Sequence, residues 1–367
     1  MALSQGVKAE DAGTLISAEP VVDTPPGSQA WRVTYWTRSE SDEPLRVTGV
    51  VIAPREAMPR APRKVVAWTH GTAGVVERCA PSSSSEFFAS VPALGDMIRA
   101  GYVVVAPDYP GLGSSMPHGY LAGRETGRSV LDAIRAARQI SGAAAGNDFV
   151  VWGESQGGHA ALWTAIESRH YARELNLLGT LAVAPPTDLR ENLRQASDQN
   201  ARALLAAFLT YSWSERYGAP MDSVFNRIDR GVATRLARNN CVRLEASPRI
   251  GTILGILAIR NAIKDKDIGS LPVWSRLARR NSVSARKVPG PIYIAQAIDD
   301  PIVASSITAN FARKLCRKGR AVQYESLPGS DHANSGRNST GSALAWIANR
   351  FDGRQPNNSC RALSFIQ

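Results

Sequence analysis

The sequence predicts an α/β fold, with a mostly parallel central sheet flanked by helices and interrupted once by a helical insertion. Three observations carry that prediction. Strand-length apolar runs alternate with helical stretches from Val65 to Ala184. The alternation stops between Thr187 and Gly290, where the chain is helical and Arg-rich, and it resumes from Pro291 onward. Strands alternating with helices of 10–20 residues specify a parallel sheet built from right-handed βαβ units. Residues 1–30 then form a lead-in, 31–186 the first part of the core, 187–290 an inserted helical cap and 291–367 the second part of the core. A chain of 367 residues is long enough to bury a full core in this arrangement.

Each element follows from local pattern. Residues 1–30 are polar and turn-rich around Pro25, Pro26 and Gly27, and read as extended. Trp31–Trp36 and Arg46–Ala53 alternate or run apolar, as an antiparallel strand pair does. Val65–Thr69 is a buried strand, Val91–Ala100 a helix and Tyr102–Ala106 a strand. Val130, Leu131, Ile134 and Ala137 recur at helical spacing in a long helix over Leu121–Ile140. Phe149–Trp152 is a strand, Gly157–Tyr171 a helix and Leu178–Ala184 a strand stopped by Pro185 and Pro186. Turn signals at Gly218–Pro220, Ser247–Pro248 and Gly269–Pro272 divide the insertion. Pro291–Gln296 (strand), Ile307–Arg317 (helix), Val322–Leu327 (strand) and Ser342–Phe351 (helix) complete the core. In the insertion, Ile250, Ile253, Leu254 and Leu257 form one apolar stripe and Ile256, Ile259 and Ile263 a second. A helix apolar on two sides is expected to be buried on two sides.

The composition excludes several classes. Hydrophobic residues make up 44% and charged residues 20%, ordinary for a globular protein and incompatible with a disordered or collagen-like chain. The 43 Lys and Arg exceed the 32 Asp and Glu, a formal charge of +11. Between Thr187 and Gly290 alone, 18 basic residues face 9 acidic ones, so most of the excess belongs to the insertion. No zinc-finger spacing, RNP pattern or basic zipper accompanies it, which argues against a nucleic-acid partner. Met1–Val22 lacks a basic segment followed by an apolar run, so no signal peptide is expected in this sequence. The longest apolar run, Ile250–Ile263, is too short for a transmembrane helix and is broken by Gly255 and Arg260. Cys79, Cys241, Cys316 and Cys360 show no metal-ligand spacing, and no metal or other cofactor is expected. They read either as free buried thiols or as two long-range disulfides of an exported protein.

Chemistry concentrates at Gly153-Glu154-Ser155-Gln156-Gly157. This G-x-S-x-G lies directly between the apolar strand FVVW and a helix, the context in which a serine is pushed out on a strained turn at the carboxyl edge of a sheet. The helix N-terminus behind it favours developing negative charge. His70-Gly71-Thr72-Ala73-Gly74 follows the strand VVAWT and suits a loop that donates backbone N–H groups to an oxyanion, beside Gln156. Of five histidines, His118 lies in a Pro-His-Gly turn expected to be solvated. His159 follows Ser155 by four residues on the same helix and points away from the site, and His170 ends that helix, exposed. His332, in the loop between the last strand and the last helix, is the expected general base. The orienting acid should end the preceding strand, where Asp299 and Asp300 both stand. The order Ser, Asp, His suits a hydrolase built on a parallel sheet rather than the serine-protease folds.

With these strings in place the chain resembles the α/β-hydrolase superfamily. Within it, the chain is similar to the secreted lipase family represented by Candida antarctica lipase A, particularly the bacterial relatives. The resemblance rests on WTHGTAG with Cys79-Ala80-Pro81-Ser82 after it, GYVVVAPDYPGLG, GESQGGHAAL, and AQAIDDPIVASSITANFARKLCRKG with LPGSDHA, from about Trp68 to Ala333. It implies Ser155 as nucleophile, His332 as base and Asp300 as acid, with oxyanion donors at Gln156 and at Thr72 or Gly71. Ala297 stands where the family usually has glycine, which keeps Asp299 as a second acid. The resemblance further implies disulfides Cys79–Cys241 and Cys316–Cys360, a helical cap over the site, and a secreted or periplasmic protein. The implied activity is carboxylic-ester hydrolysis on a small-molecule or lipid ester, at a lipid–water interface if one cap stripe faces lipid. A peptidase or aminopeptidase on the same fold, and a non-catalytic binding protein, are the rival readings. The basic cap is expected either to be a solvated surface or to attract anionic interfaces and acidic esters.

Overall fold

The computed structural model describes residues 10–56, 59–242, 249–329 and 331–363. The turn expected at Ser247–Pro248, the first nine residues of the lead-in and Ser330 lie outside the described residues. Nine strands form one sheet: β1 (Leu15–Val21), β2 (Ser28–Arg38), β3 (Pro44–Pro54), β4 (Arg63–Thr69), β5 (Val103–Pro107), β6 (Ala145–Glu154), β7 (Asn176–Val183), β8 (Ile292–Ala297) and β9 (Val322–Leu327). Their order is β1-β2-β3-β5-β4-β6-β7-β8-β9. Pairings from β1 to β5 along that order are antiparallel, and all those beyond are parallel. This is the mostly parallel sheet of an α/β-hydrolase.

The lead-in departs from expectation. Leu15–Val21 pairs with β2 in register Val21↔Ala30 and forms the sheet's first strand. An edge strand has a neighbour on one side only and is half exposed, so its sequence stays polar and lacks the apolar run that marks an interior strand.

Helices cover both faces. The first is α1 (Phe87–Ser90), followed by α2 (Leu94–Arg99), α3 (Gly123–Ala137) and α4 (Gln156–Tyr171). In β5 and β6 successive residues feed opposite cores. Val103, Val105, Phe149 and Val151 pack with α3 and α4, whereas Val104, Ala106, Val150 and Trp152 pack with α2. Burial on both faces explains why these strands read as continuous apolar runs.

Between β7 and β8 the chain forms α5 (Leu189–Gln195), α6 (Gln199–Tyr217), α7 (Arg227–Asn239), α8 (Ile250–Ile263) and α9 (Pro272–Asn281). Local capping sets several of their ends. Asp188, Asp198 and Asn226 accept first-turn N–H groups at the starts of α5, α6 and α7, and Gly218, at φ 66°, closes α6 in the left-handed conformation. The segment has its own apolar cluster, in which Trp213 stacks on Trp274 and to which Tyr120 and Leu121 of the sheet's loops contribute. The expectation for α8 is overturned. Ile259 and Ile263 are buried, but Ile250, Ile253, Leu254 and Leu257 are 77%, 44%, 62% and 47% exposed. Close packing uses only one side of the helix, where Gly255 brings α8 against Leu236 of α7. The remaining helices are α10 (Ser305–Arg317), α11 (Ser335–Asn338), α12 (Thr340–Phe351) and α13 (Cys360–Leu363).

Candidate active site

Ser155 stands between β6 and α4 with φ 55° and ψ −119°, a strained conformation for a residue with a Cβ. The flanking glycines make the turn possible. A Cβ on Gly153 would lie 2.0 Å from Thr69 Oγ1, and one on Gly157 1.9 Å from the Thr69 carbonyl. Thr69 Oγ1 donates to the Gly157 carbonyl at 2.8 Å, and the Ser155 N–H donates to Val183 at 2.8 Å, which fixes the turn to the ends of β4 and β7.

The structure brings Ser155, His332 and Asp300 together. Ser155 Oγ is 2.9 Å from His332 Nε2, and His332 Nδ1 is 2.6 Å from Asp300 Oδ2. With Nδ1–H donating to the carboxylate, Nε2 is the acceptor for the serine hydroxyl. Asp300 is held on every side. Its Oδ1 accepts the N–H groups of Ile302 and Val303, both at 2.9 Å, and Oδ2 also accepts from Gln296 Nε2 at 2.9 Å. Gln296 is itself oriented by the Thr308 hydroxyl at 2.7 Å. Burial alone would raise the Asp300 carboxyl, but His332 and the two backbone N–H groups outweigh it and hold the group below the usual carboxylate range. Asp299 is exposed and makes no bond to His332.

Gly71 lies against the Ser155 turn; a Cβ there would be 4.0 Å from Ser155 Cβ. Thr72 is anchored by its hydroxyl, 2.8 Å from Tyr120 OH. Gln156 opens α4, so its N–H belongs to the first turn, which has no acceptor within the helix.

The other histidines divide between expectation and correction. His118 is 1% exposed rather than solvated. Its Nδ1–H donates to the Pro110 carbonyl at 2.7 Å, leaving Nε2 to accept from the Gln156 side chain at 3.2 Å. Burial pushes its pKa down to about 4. The Pro-Gly surroundings disguised a tight turn folded inward beneath α6, whose Ser212 hydroxyl donates to the His118 carbonyl at 2.5 Å. His159 is buried, donates to the Asn281 carbonyl at 2.7 Å and is likewise pushed down to about 4 by burial. His170 is exposed. His70 is half-buried, stacks on Tyr109 and makes a 2.6 Å contact with the Gly71 carbonyl. Sequence reasoning did not single out Gln296, Tyr120 or His118 as supports of the site. The Gln296–Asp300 spacing was visible, but nothing local predicts the 48-residue Thr72–Tyr120 contact.

A cavity of about 40 Å³ opens beside Ser155 and Gln156, walled by Tyr120, Leu189, Leu193, Leu205, Leu209 and Ile302, and no charged residue lines it. The basic residues gather elsewhere. Arg124, Arg279, Arg280 and Lys287 line a separate cavity of about 350 Å³ against Trp163, with Glu40 the one carboxylate among them. Ser155 lines the smaller cavity and not this one. Among the described residues, no helix is long and apolar enough to cross a membrane.

All four cysteines are paired, as Cys79–Cys241 and Cys316–Cys360. The first joins the helical segment to the turn after the His70–Gly74 loop, where the Val242 N–H also donates to the Ala73 carbonyl at 2.9 Å.

Comparison with known proteins agrees with this architecture. The secretory lipase family model matches residues 89–359, about three quarters of the chain. Lipase 4 of Candida albicans is 27% identical over 352 residues, covering 90% of this chain and 74% of that protein. Candida antarctica lipase A in its closed state superimposes with a TM-score of 0.77 at 20% identity, covering 95% of this chain and 84% of that one. The rice cell wall degrading esterase LipA from Xanthomonas oryzae gives 0.73 at 17% identity, covering 94% and 100%. The chain belongs to the secretory lipase family and is a lipase-type hydrolase of the α/β-hydrolase fold.

Proposed function

We propose that the protein is a serine carboxylic-ester hydrolase that works through Ser155, His332 and Asp300 and an acyl-enzyme intermediate. The observation that carries this reading is the hydrogen-bonded chain from serine to imidazole to buried carboxylate, 2.9 and 2.6 Å long at its two links. His332 takes the proton of Ser155 as Oγ attacks the ester carbonyl. The developing oxyanion is held by the N–H groups of Gln156 and of Thr72 or Gly71, at the positive end of α4. His332 then protonates the departing alcohol, and water activated by the same imidazole hydrolyses the acyl-enzyme.

The segment 187–290 acts as a cap over this site. A 40 Å³ cavity has room for water but not for an acyl chain, so substrate entry requires Leu205 and Leu209 of α6 or Leu189 and Leu193 of α5 to move aside. The uncharged, mostly aliphatic wall favours an apolar acyl group over a charged substrate. The exposed stripe of α8 is the surface that meets a lipid–water interface. Two disulfides fit an oxidising, extracellular location.

The test is a panel of p-nitrophenyl esters of increasing acyl length alongside amino-acid p-nitroanilides, with wild type and Ser155→Ala. Ester turnover that disappears in Ser155→Ala and on treatment with a serine-directed phosphonate is the expected result. Amide-only turnover would point to a peptidase, and ester turnover retained by Ser155→Ala would remove Ser155 from the mechanism.

A further inference from the structure

Glu154 immediately precedes Ser155, and its carboxylate is turned toward the loop that carries His332. The Gly336 N–H donates to Glu154 Oε1 at 3.0 Å. The approach is so close that a Cβ on Gly336 would lie 2.6 Å from Oε2 and 3.1 Å from Cδ. The rest of that loop braces itself. The Ser335 hydroxyl donates to the Asp331 carbonyl at 2.7 Å, and the Asn334 N–H donates to Asp331 Oδ1 at 3.1 Å. Glu154 therefore ties the strand that ends in the serine to the segment just after the histidine. Its charge also acts on that histidine. Burial, the largest effect, and Asp331 oppose the ionised carboxylate, the Gly336 N–H, His332 and Arg337 favour it, and Glu154 is pushed up to about 7.

We propose that Glu154 is a positioning residue for ester hydrolysis: it fixes the His332 loop against the nucleophile turn and, when ionised, supports the imidazolium that forms as Ser155 gives up its proton. The proposal rests on the roles of Ser155 and His332 given above. Asp300 faces Nδ1 from one element, and Glu154 adds a second negative charge from the strand beneath. Activity then depends on the ionisation of this carboxylate as well as on the Ser155–His332 pair itself.

The decisive comparison is kcat/KM against pH for a short p-nitrophenyl ester in wild type, Glu154→Gln, Glu154→Ala and Arg337→Gln, with Ser155→Ala as control. Glutamine keeps an oxygen for the Gly336 N–H but has no charge. Glu154→Gln is therefore expected to keep its melting temperature, lose about tenfold in plateau kcat/KM, and lack the Glu154 ionisation in its pH profile. Glu154→Ala should lose activity further, because the tie is gone as well. Arg337→Gln removes the cation that favours ionised Glu154 and should move the Glu154 ionisation to higher pH; it also provides the readout if the position-154 variants do not fold. A Glu154→Gln profile that superimposes on wild type in plateau and shape, or an unshifted Arg337→Gln profile, overturns the proposal. Turnover surviving in Ser155→Ala would instead refute the underlying assignment of the nucleophile.

Discussion

Arg216 of α6 closes on the buried carboxylate of Glu125 in α3, with Nε 3.2 Å from both oxygens and Nη2 2.5 Å from Oε2. The pair joins the helical segment to the core, and Glu125 is only 1% exposed. Burial raises its pKa even with Arg216 in place. A group whose folded pKa is raised contributes stability that is full at low pH and is lost as pH rises through that value. Arg216→Ala leaves the carboxylate buried without a partner, a loss of about 3–5 kcal/mol once it is ionised. Urea unfolding should show that deficit at pH 8 and a much smaller one at pH 5, where protonation removes the uncompensated charge. An equal deficit at both would mean that Arg216 acts through packing alone.

Asp300 offers a second prediction. Its two oxygens receive four donors, from Ile302, Val303, Gln296 and His332. Asparagine has one oxygen, so Asp300→Asn must present an N–H either to the backbone pair or to Gln296 and His332. The second orientation favours the wrong imidazole tautomer, and kcat should fall about 10³–10⁴-fold. Because the folded pKa of Asp300 is depressed, its stabilising contribution is present above the unfolded value of about 3.9 and lost as pH falls through the folded one. The acid limb of wild-type stability should therefore flatten in Asp299→Asn far less than in Asp300→Asn, measured by melting temperature between pH 3 and 6.

Much of this site was legible in the sequence. G-x-S-x-G between a strand and a helix constrains a residue through backbone sterics that act within five positions, and Gly153 and Gly157 do meet Thr69 as that turn requires. The parallel strands announced themselves because burial on both faces leaves no polar alternation. Local pattern could not weigh long-range partners. β1 was hidden because an edge strand tolerates polar residues, and His118 because the turn around it folds inward only when α6 lies across it. The two stripes of α8 look alike in sequence, and only packing against α6 and α7 decides which one is covered. The basic excess falls between Thr187 and Gly290, but no sequence pattern says that several of those cations line a cavity apart from Ser155.

The Cys79–Cys241 disulfide closes a loop of 162 residues, and Cys316–Cys360 one of 44. Chain entropy values these at about 5 and 4 kcal/mol respectively. Only the first touches the His70–Gly74 loop, where a Cβ on Gly74 would lie 2.5 Å from Cys79 Sγ. Replacing both Cys79 and Cys241 by serine should lower stability and also kcat. The double replacement at Cys316 and Cys360 should lower stability while leaving kcat per active site, titrated with a phosphonate, within about twofold. Equal effects on kcat would remove the special role of the first bridge.

The exposed stripe and the charge of the helical segment bear on substrate together. Ile250, Ile253, Leu254 and Leu257 project from α8, with Arg249, Arg260 and Lys264 exposed beside them. A half-exposed leucine that becomes covered at an interface gains on the order of 1 kcal/mol. Leu254→Ser with Leu257→Ser should thus reduce the rate on emulsified triglyceride, relative to a soluble short-chain ester, by about tenfold. Stability should change little, because neither side chain is packed in the core. Added salt screens the cations over about 8 Å at physiological strength and should weaken hydrolysis at an anionic lipid surface. It should not separate anionic from neutral soluble esters, because no charged residue lines the cavity at Ser155. If kcat/KM for a soluble anionic ester falls with salt while that for its neutral counterpart holds, the cations act at the mouth of the site. The interface would then be the wrong place for them.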